Sequence, residues 1–206
     1  MKVKICGLRT EEAVLAAEDA GADFLGFIFY EKSHRHVLPE EVRGLTKHVR
    51  RAKTVGVFVD APLDEVNAAA DFCSLDFVQL HGHESAAYAR AVCCPVIKAF
   101  RWGDDFSAEE ANDYPAEIIL LDSFSKDAVG GTGQCFRWRE AAEETVRLEK
   151  PLLVAGGIAS GNVREAEEVF RPYGVDVSGS LEIEKRKSIE RIREFMAVVQ
   201  KRRVPE

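Results

Sequence analysis

Two residues of this chain could act as a base and an acid if the fold brings them together. Cys6 ends an apolar segment at 2–6, and Asp122 ends another at 117–122. A thiolate can remove a proton from carbon, and a carboxylic acid can protonate an oxygen leaving group. A cysteine in an apolar segment is, however, usually a small buried hydrophobe, and an aspartate after a strand usually caps a turn. Their positions alone leave both interpretations open.

Two glycine-containing turns could bind a phosphate group. Gly156 and Gly157 follow an apolar run at 151–155, and the sequence Ser178-Gly179-Ser180 ends the run that starts at 174. Glycine lets backbone N–H groups approach an anion closely, and a short helix start would add its dipole. Either turn alone could simply be a tight turn. Two of them, after consecutive predicted strands, favour a phosphate site.

Two long loops carry further candidates. Arg35 lies in the basic segment 32–36, where its guanidinium could bind a carboxylate through two parallel hydrogen bonds; a solvated basic loop is the alternative. Three glycines within 130–133 suit a mobile lid that excludes water from a substrate, or a wide turn. In a barrel, loops that follow strands lie on the catalytic face.

The histidine pairs do not predict a metal site. His34 with His36, and His81 with His83, place two imidazoles close together. Neither pair has an obvious acidic or thiol set to complete a coordination sphere, and no His-Glu-x-x-His motif is present. His81 is therefore expected to shape a pocket or cap a helix.

Eight short apolar segments, each followed by an amphipathic stretch, would have to position these residues. Strands are predicted near 2–6, 23–29, 54–59, 76–80, 95–100, 117–122, 151–155 and 174–178. Several show little alternation, which is typical of parallel strands buried on both faces. Helical spacing is clearest at 11–20 and 188–200. Eight successive β-then-α units predict a single (β/α)8 TIM barrel over residues 1–206, with an open doubly wound sheet as the alternative.

Composition argues against several classes of protein. A net charge of −7 makes a general nucleic-acid-binding surface unexpected, and no apolar run reaches the length that spans a bilayer. The N-terminal segment has no signal-peptide pattern. The five cysteines are an odd number and include no Cys-x-x-Cys pair, which indicates reduced thiols and a cytoplasmic location.

Motifs along essentially the whole chain resemble the phosphoribosylanthranilate isomerase family. The most specific are Lys-Ile-Cys-Gly-Leu at 4–8, Val-Gln-Leu-His-Gly at 78–82 and Gly-Gly-Thr-Gly at 130–133. The resemblance implies an Amadori rearrangement of N-(5-phosphoribosyl)anthranilate to 1-(2-carboxyphenylamino)-1-deoxyribulose 5-phosphate, a step of tryptophan biosynthesis. It implies a small phosphorylated substrate, no cofactor and no metal, and it is compatible with a monomer or a homodimer.

The same resemblance implies a role for each candidate. Cys6 matches the general base that removes the C2′ proton, and Asp122 matches the general acid that protonates the furanose ring oxygen. Arg35 matches the residue that faces the anthranilate carboxylate. The positions matched to phosphate contacts are Gly156, Gly157, Ser178, Gly179 and Ser180.

Two departures from the family pattern fall near the last phosphate turn. The family commonly has Ser-Ser-Gly where this chain has Ser178-Gly179-Ser180, which leaves the individual phosphate contacts open. After Glu182 the family often has a glycine-containing turn, whereas here the segment 184–187 is strongly charged.

Three other functions compete with this one. A related phosphosugar barrel, such as the histidine-pathway isomerase, works with a pair of aspartates, whereas the first strand here ends in Cys6. A barrel that only binds a phosphorylated ligand would need neither Cys6 nor Asp122. A thiol-redox function of Cys6 would need a resolving cysteine, and none lies at nearby spacing.

Overall fold

A closed barrel of eight parallel strands forms the centre of the protein. The computed structural model describes residues 1–103, 105–122 and 133–201. The strands pair in chain order, and the last pairs with the first. They are β1 (Lys2–Cys6), β2 (Phe24–Ile28), β3 (Lys53–Phe58), β4 (Phe77–Leu80), β5 (Val96–Arg101), β6 (Ile118–Asp122), β7 (Leu152–Ala155) and β8 (Gly174–Val177). The predicted (β/α)8 barrel is confirmed, and the open doubly wound sheet is wrong because β8 closes onto β1.

A helix follows each strand. The helices are α1 (Glu11–Asp19), α2 (Pro39–Thr46), α3 (Leu63–Cys73), α4 (Ala86–Arg90), α5 (Ala108–Asp113), α6 (Gly133–Thr145), α7 (Val163–Phe170) and α8 (Ile189–Gln200). The side chains of Thr10 and Ser188 cap α1 and α8 by accepting hydrogen bonds from backbone N–H groups three residues later. Both helices therefore begin where a hydroxyl can satisfy their free N–H groups. No helix in the described ranges is long and apolar enough to cross a bilayer.

The weak alternation of the strands follows from burial on both faces. On β6, Ile118 and Leu120 belong to the apolar cluster inside the barrel, and Ile119 and Leu121 belong to the larger cluster between strands and helices. Successive residues of a strand point to opposite faces, and here both faces are covered. The apolar interior lies beneath the carboxyl ends of the strands and gives the site a rigid base.

A short charged hairpin follows β8. After a turn of 3-10 helix at Gly179–Leu181, the antiparallel strands β9 (Glu182–Ile183) and β10 (Arg186–Lys187) pair before α8 begins. The two residues between these strands, Glu184 and Lys185, have positive φ angles of 49° and 63°. This hairpin was not predicted, because its connection lacks the asparagine or glycine that such turns usually contain.

Candidate active site

A cavity of about 530 Å³ opens at the carboxyl ends of the barrel strands. All eight residues that the sequence singled out line it: Cys6, Arg35, Asp122, Gly156, Gly157, Ser178, Gly179 and Ser180. This is the face on which barrels of this kind carry their active sites. The glycine-rich segment that suggested a lid lies outside the described residues over 130–132.

Cys6 is buried at the end of β1, and the absence of a side chain on β2 makes room for it. Gly26 is its neighbour in the register between β1 and β2. A Cβ atom at Gly26 would lie 2.9 Å from the Cys6 Sγ and 3.1 Å from the Lys4 Nζ. The side chains of Cys6 and Lys4 thus share a space inside the barrel. A side chain at position 26 of β2 would fill that space.

The surroundings of Cys6 act on its ionisation in opposite directions. Burial raises the pKa of the Cys6 thiol, and the carboxylate of Asp176 adds to that effect. The ammonium groups of Lys4 and Lys187 lower the pKa. Burial is the largest influence, so the thiol keeps its proton to higher pH than an exposed cysteine would.

Asp122 faces His81 across the cavity. Its Oδ2 lies 3.8 Å from the Nε2 of His81, and the His81 Nδ1 lies 2.9 Å from the Nε2 of Gln79. Burial lowers the pKa of His81, although the charge of Asp122 opposes the shift. Burial therefore favours the neutral form of the imidazole. The expectation that His81 shapes the pocket stands, since it lines the cavity.

Arg35 makes a two-pronged ion pair with Glu182. Its Nε donates to Oε1 at 2.5 Å and its Nη2 donates to Oε2 at 2.9 Å. Gly7 leaves space for the arginine, because a Cβ there would collide with the Arg35 Cδ and the Gly7 φ of +80° suits glycine. The arginine is thus held at the cavity and is not a solvated loop residue.

Glu182 also contacts two other basic side chains. The Nζ of Lys187 donates to its Oε1 at 2.7 Å, and the Nε2 of His34 lies 3.2 Å from its Oε2. Although burial opposes ionisation, hydrogen bonds from Arg35 and Lys187 lower the pKa of Glu182 to about 2. The carboxylate therefore stays charged at every ordinary pH and fixes the position of Arg35.

The two glycine-containing turns lie side by side. Gly156 and Gly157 have φ angles of 85° and 73°, which non-glycine residues rarely adopt. The Ser180 Oγ donates to the carbonyl oxygen of Ile158 at 2.6 Å and joins the turn after β8 to the turn after β7. The first N–H groups of a helix have no carbonyl partner within it, so those of Gly179 and Ser180 are available to an anion.

The sequence reasoning missed six residues of this site: Lys4, Gly26, Gln79, Asp176, Glu182 and Lys187. Gln79 carried a usable signal because it is the one polar residue of β4, and Lys4 did because it lies between two apolar residues of β1. Glu182 and Lys187 belong to the unpredicted hairpin and gave none. No group of three or more possible metal ligands occurs within the described ranges.

Known proteins match this chain over nearly its full length. The family model described as N-(5'phosphoribosyl)anthranilate (PRA) isomerase matches residues 3–198. A curated relative from Geobacter sulfurreducens, named N-(5'-phosphoribosyl)anthranilate isomerase, is 46% identical over 198 residues, which cover 95% of this chain and 97% of the relative.

Two solved structures give the same result. One shows monomers generated from the dimeric phosphoribosylanthranilate isomerase of Thermotoga maritima, with 32% identity and a TM-score of 0.85. The other is a phosphoribosylanthranilate isomerase in complex with reduced 1-(o-carboxyphenylamino)-1-deoxyribulose 5-phosphate, also with 32% identity and a TM-score of 0.85. Each comparison covers 98% of this chain and 99% of the other. Sequence, fold and site together show that the chain belongs to the phosphoribosylanthranilate isomerase family.

Proposed function

We propose that the cavity catalyses the family's isomerisation of N-(5'-phosphoribosyl)anthranilate, in tryptophan biosynthesis, with Cys6 as general base and Asp122 as general acid. One observation carries the assignment. A buried thiol on β1 and a carboxyl group on β6 line the same cavity as two adjoining glycine-containing turns. A ligand anchored by its phosphate at these turns would extend between the two side chains.

The reaction requires the enzyme to donate one proton to the substrate and to remove one proton from it. Asp122 protonates the furanose ring oxygen, the C1′–O bond breaks, and the anilino nitrogen lone pair forms a protonated Schiff base at C1′. The Cys6 thiolate then removes the proton from C2′, and the electrons of that C–H bond form a C1′–C2′ double bond while the imine π electrons return to nitrogen. Tautomerisation of this enol-amine gives the ketone product.

The remaining residues would hold the two anionic ends of the substrate. Backbone N–H groups of Gly156, Gly157, Gly179 and Ser180 suit the phosphate, and the Ser178 hydroxyl fixes the second turn by donating to the Cys6 carbonyl oxygen at 2.9 Å. The Arg35 guanidinium suits the anthranilate carboxylate. Since Glu182 already occupies two of its donors, the substrate carboxylate would bind through the remaining edge.

The test measures turnover of freshly generated phosphoribosylanthranilate as the loss of its fluorescence. It compares the wild type with Cys6→Ala and Asp122→Asn. We expect both variants to lose at least about a thousandfold in kcat while they keep the wild-type circular dichroism spectrum. Arg35→Ala should raise KM more than it lowers kcat. Near-wild-type rates in either catalytic variant would remove that residue from the mechanism.

Location and assembly also belong to the proposal. We expect a cytoplasmic enzyme in which residues 1–206 act as one catalytic domain. Four cysteines, Cys6, Cys73, Cys93 and Cys94, are free thiols, which is typical of a reducing compartment. A monomer and a homodimer are both compatible with the family, and size-exclusion chromatography with light scattering would distinguish them.

A further inference from the structure

A fully buried lysine lies beside Cys6. The side chain of Lys4 is 0% exposed, and it lies two residues before Cys6 on β1, so both side chains point to the same side of the strand. Burial of an ammonium group in an apolar barrel costs several kcal/mol unless charged partners surround it. A residue kept at this cost needs partners, and the structure shows two.

The first partner of Lys4 is a carboxylate on the neighbouring strand. Its Nζ donates to the Oδ1 of Asp176 at 2.9 Å, and the two residues are paired in the register between β1 and β8. The second is the thiol of Cys6: a Cβ atom at Gly26 would lie 2.9 Å from the Cys6 Sγ and 3.1 Å from the Lys4 Nζ, so both atoms border the same small space. The ammonium charge there favours the thiolate. The space left by Gly26 brings the Sγ and the Nζ together.

We propose that Lys4 is a positioning residue that stabilises the Cys6 thiolate as its counter-ion. Asp176 competes with Cys6 for the ammonium charge of Lys4 and so sets how strongly Lys4 stabilises the thiolate. The proposal rests on the proposed role of Cys6 as the base. When Cys6 carries its proton, Asp176 balances the ammonium charge. When Cys6 is a thiolate, the ammonium is shared between two anions.

A third charged group also faces Cys6. Lys187 on β10 favours the Cys6 thiolate, but its Nζ is already engaged by the Glu182 Oε1 at 2.7 Å and by the Ser178 carbonyl oxygen at 3.1 Å. That carboxylate is shared with Arg35, so it balances the Lys187 charge only in part, and Lys187 acts on Cys6 beside Lys4. Among the groups that act on the thiol, Lys4 is the strongest cation.

The proposal predicts opposite effects for the two members of one ion pair. Lys4→Met removes the cation and keeps the length of the side chain, so the thiol should ionise at higher pH. Asp176→Asn removes the competing anion, so the thiol should ionise at lower pH. A pair that only supports the fold would be weakened in the same way by either substitution.

The experiment measures the pH midpoint of Cys6 alkylation by iodoacetamide, with mass spectrometry of the peptide that contains Cys6. The midpoint is used because the intrinsic nucleophilicity of a thiolate changes with its pKa. We expect Lys4→Met to raise the midpoint by about one pH unit or more and Asp176→Asn to lower it by a similar amount. The control is Lys2→Met, which removes another lysine of β1 and breaks its ion pair with Asp23. This variant should leave the midpoint unchanged.

Equal midpoints in the wild type and Lys4→Met, or shifts of the same sign in the two variants, would overturn the proposal. If Lys4→Met fails to fold by circular dichroism, Asp176→Asn decides alone, and an unchanged or raised midpoint refutes the idea. The acidic limb of the pH profile of kcat/KM should move with the alkylation midpoint. Because alkylation does not need turnover, an active Cys6→Ala would refute the proposed base without affecting this measurement.

Discussion

Glu182→Gln should destabilise the protein through the loss of one charge. The Glu182 side chain is 9% exposed and pairs with Arg35, Lys187 and His34. Its pKa falls from 4.5 to about 2, which corresponds to about 3.4 kcal/mol at about 1.36 kcal/mol per unit. Screening at the open cavity reduces this figure, so we expect the free energy of unfolding to fall by about 2 kcal/mol at pH 7.

The sign of the pH dependence follows from the direction of the shift. The pKa of Glu182 is lower in the folded than in the unfolded protein, so its stabilisation is complete above the unfolded value of about 4.5 and is lost as the pH falls toward 2. The difference between the wild type and the variant should therefore be constant from pH 6 to pH 8. Roughly half of it should be lost near pH 3.5.

Urea unfolding followed by tryptophan fluorescence measures this difference, with Trp138 in α6 as a buried reporter. Glu184→Gln is the matched control, since it removes an exposed glutamate from the same hairpin and should change the unfolding free energy by less than about 0.5 kcal/mol. A loss below about 0.5 kcal/mol in Glu182→Gln, or a loss that persists unchanged at pH 3.5, would refute the assigned role of this ion cluster.

Three glycine-related substitutions test other features of the fold. Gly26→Ala places a Cβ 2.9 Å from the Cys6 Sγ and should lower kcat/KM on the order of tenfold or more in steady-state assays, whereas a wild-type value would show that the space is not needed. Gly44→Ala, in α2 with no atom within 4 Å of the added Cβ, should raise the unfolding free energy by about 0.5–1 kcal/mol; a loss in urea unfolding would contradict this. Lys185→Gly should raise the unfolding free energy by about 0.5–1 kcal/mol because glycine adopts a φ of 63° without strain. An unchanged melting temperature would count against backbone strain at this position.

Much of the fold could be predicted from local patterns. Strand bounds were right to within one residue because apolar runs buried on both faces leave a strong signal, as on β6 at Ile118–Asp122. The helical stretches predicted at 11–20 and 188–200 match α1 and α8 for a similar reason, since helical spacing depends on residues only three or four apart. Candidates at strand ends could then be grouped, because the ends of parallel strands meet on one face.

The sequence by itself determined which residues could do chemistry: the thiol, the carboxyl group, the arginine and the glycine turns. Only the tertiary structure decided how they are tuned. The partners that shift Cys6 come from β1, β8 and β10, and those that hold Arg35 come from the hairpin after β8. The contact between Arg35 and Glu182 spans 147 residues, and that between Lys4 and Asp176 spans 172. Such pairs depend on barrel closure, which brings the first strand against the last, and no local pattern encodes that distance.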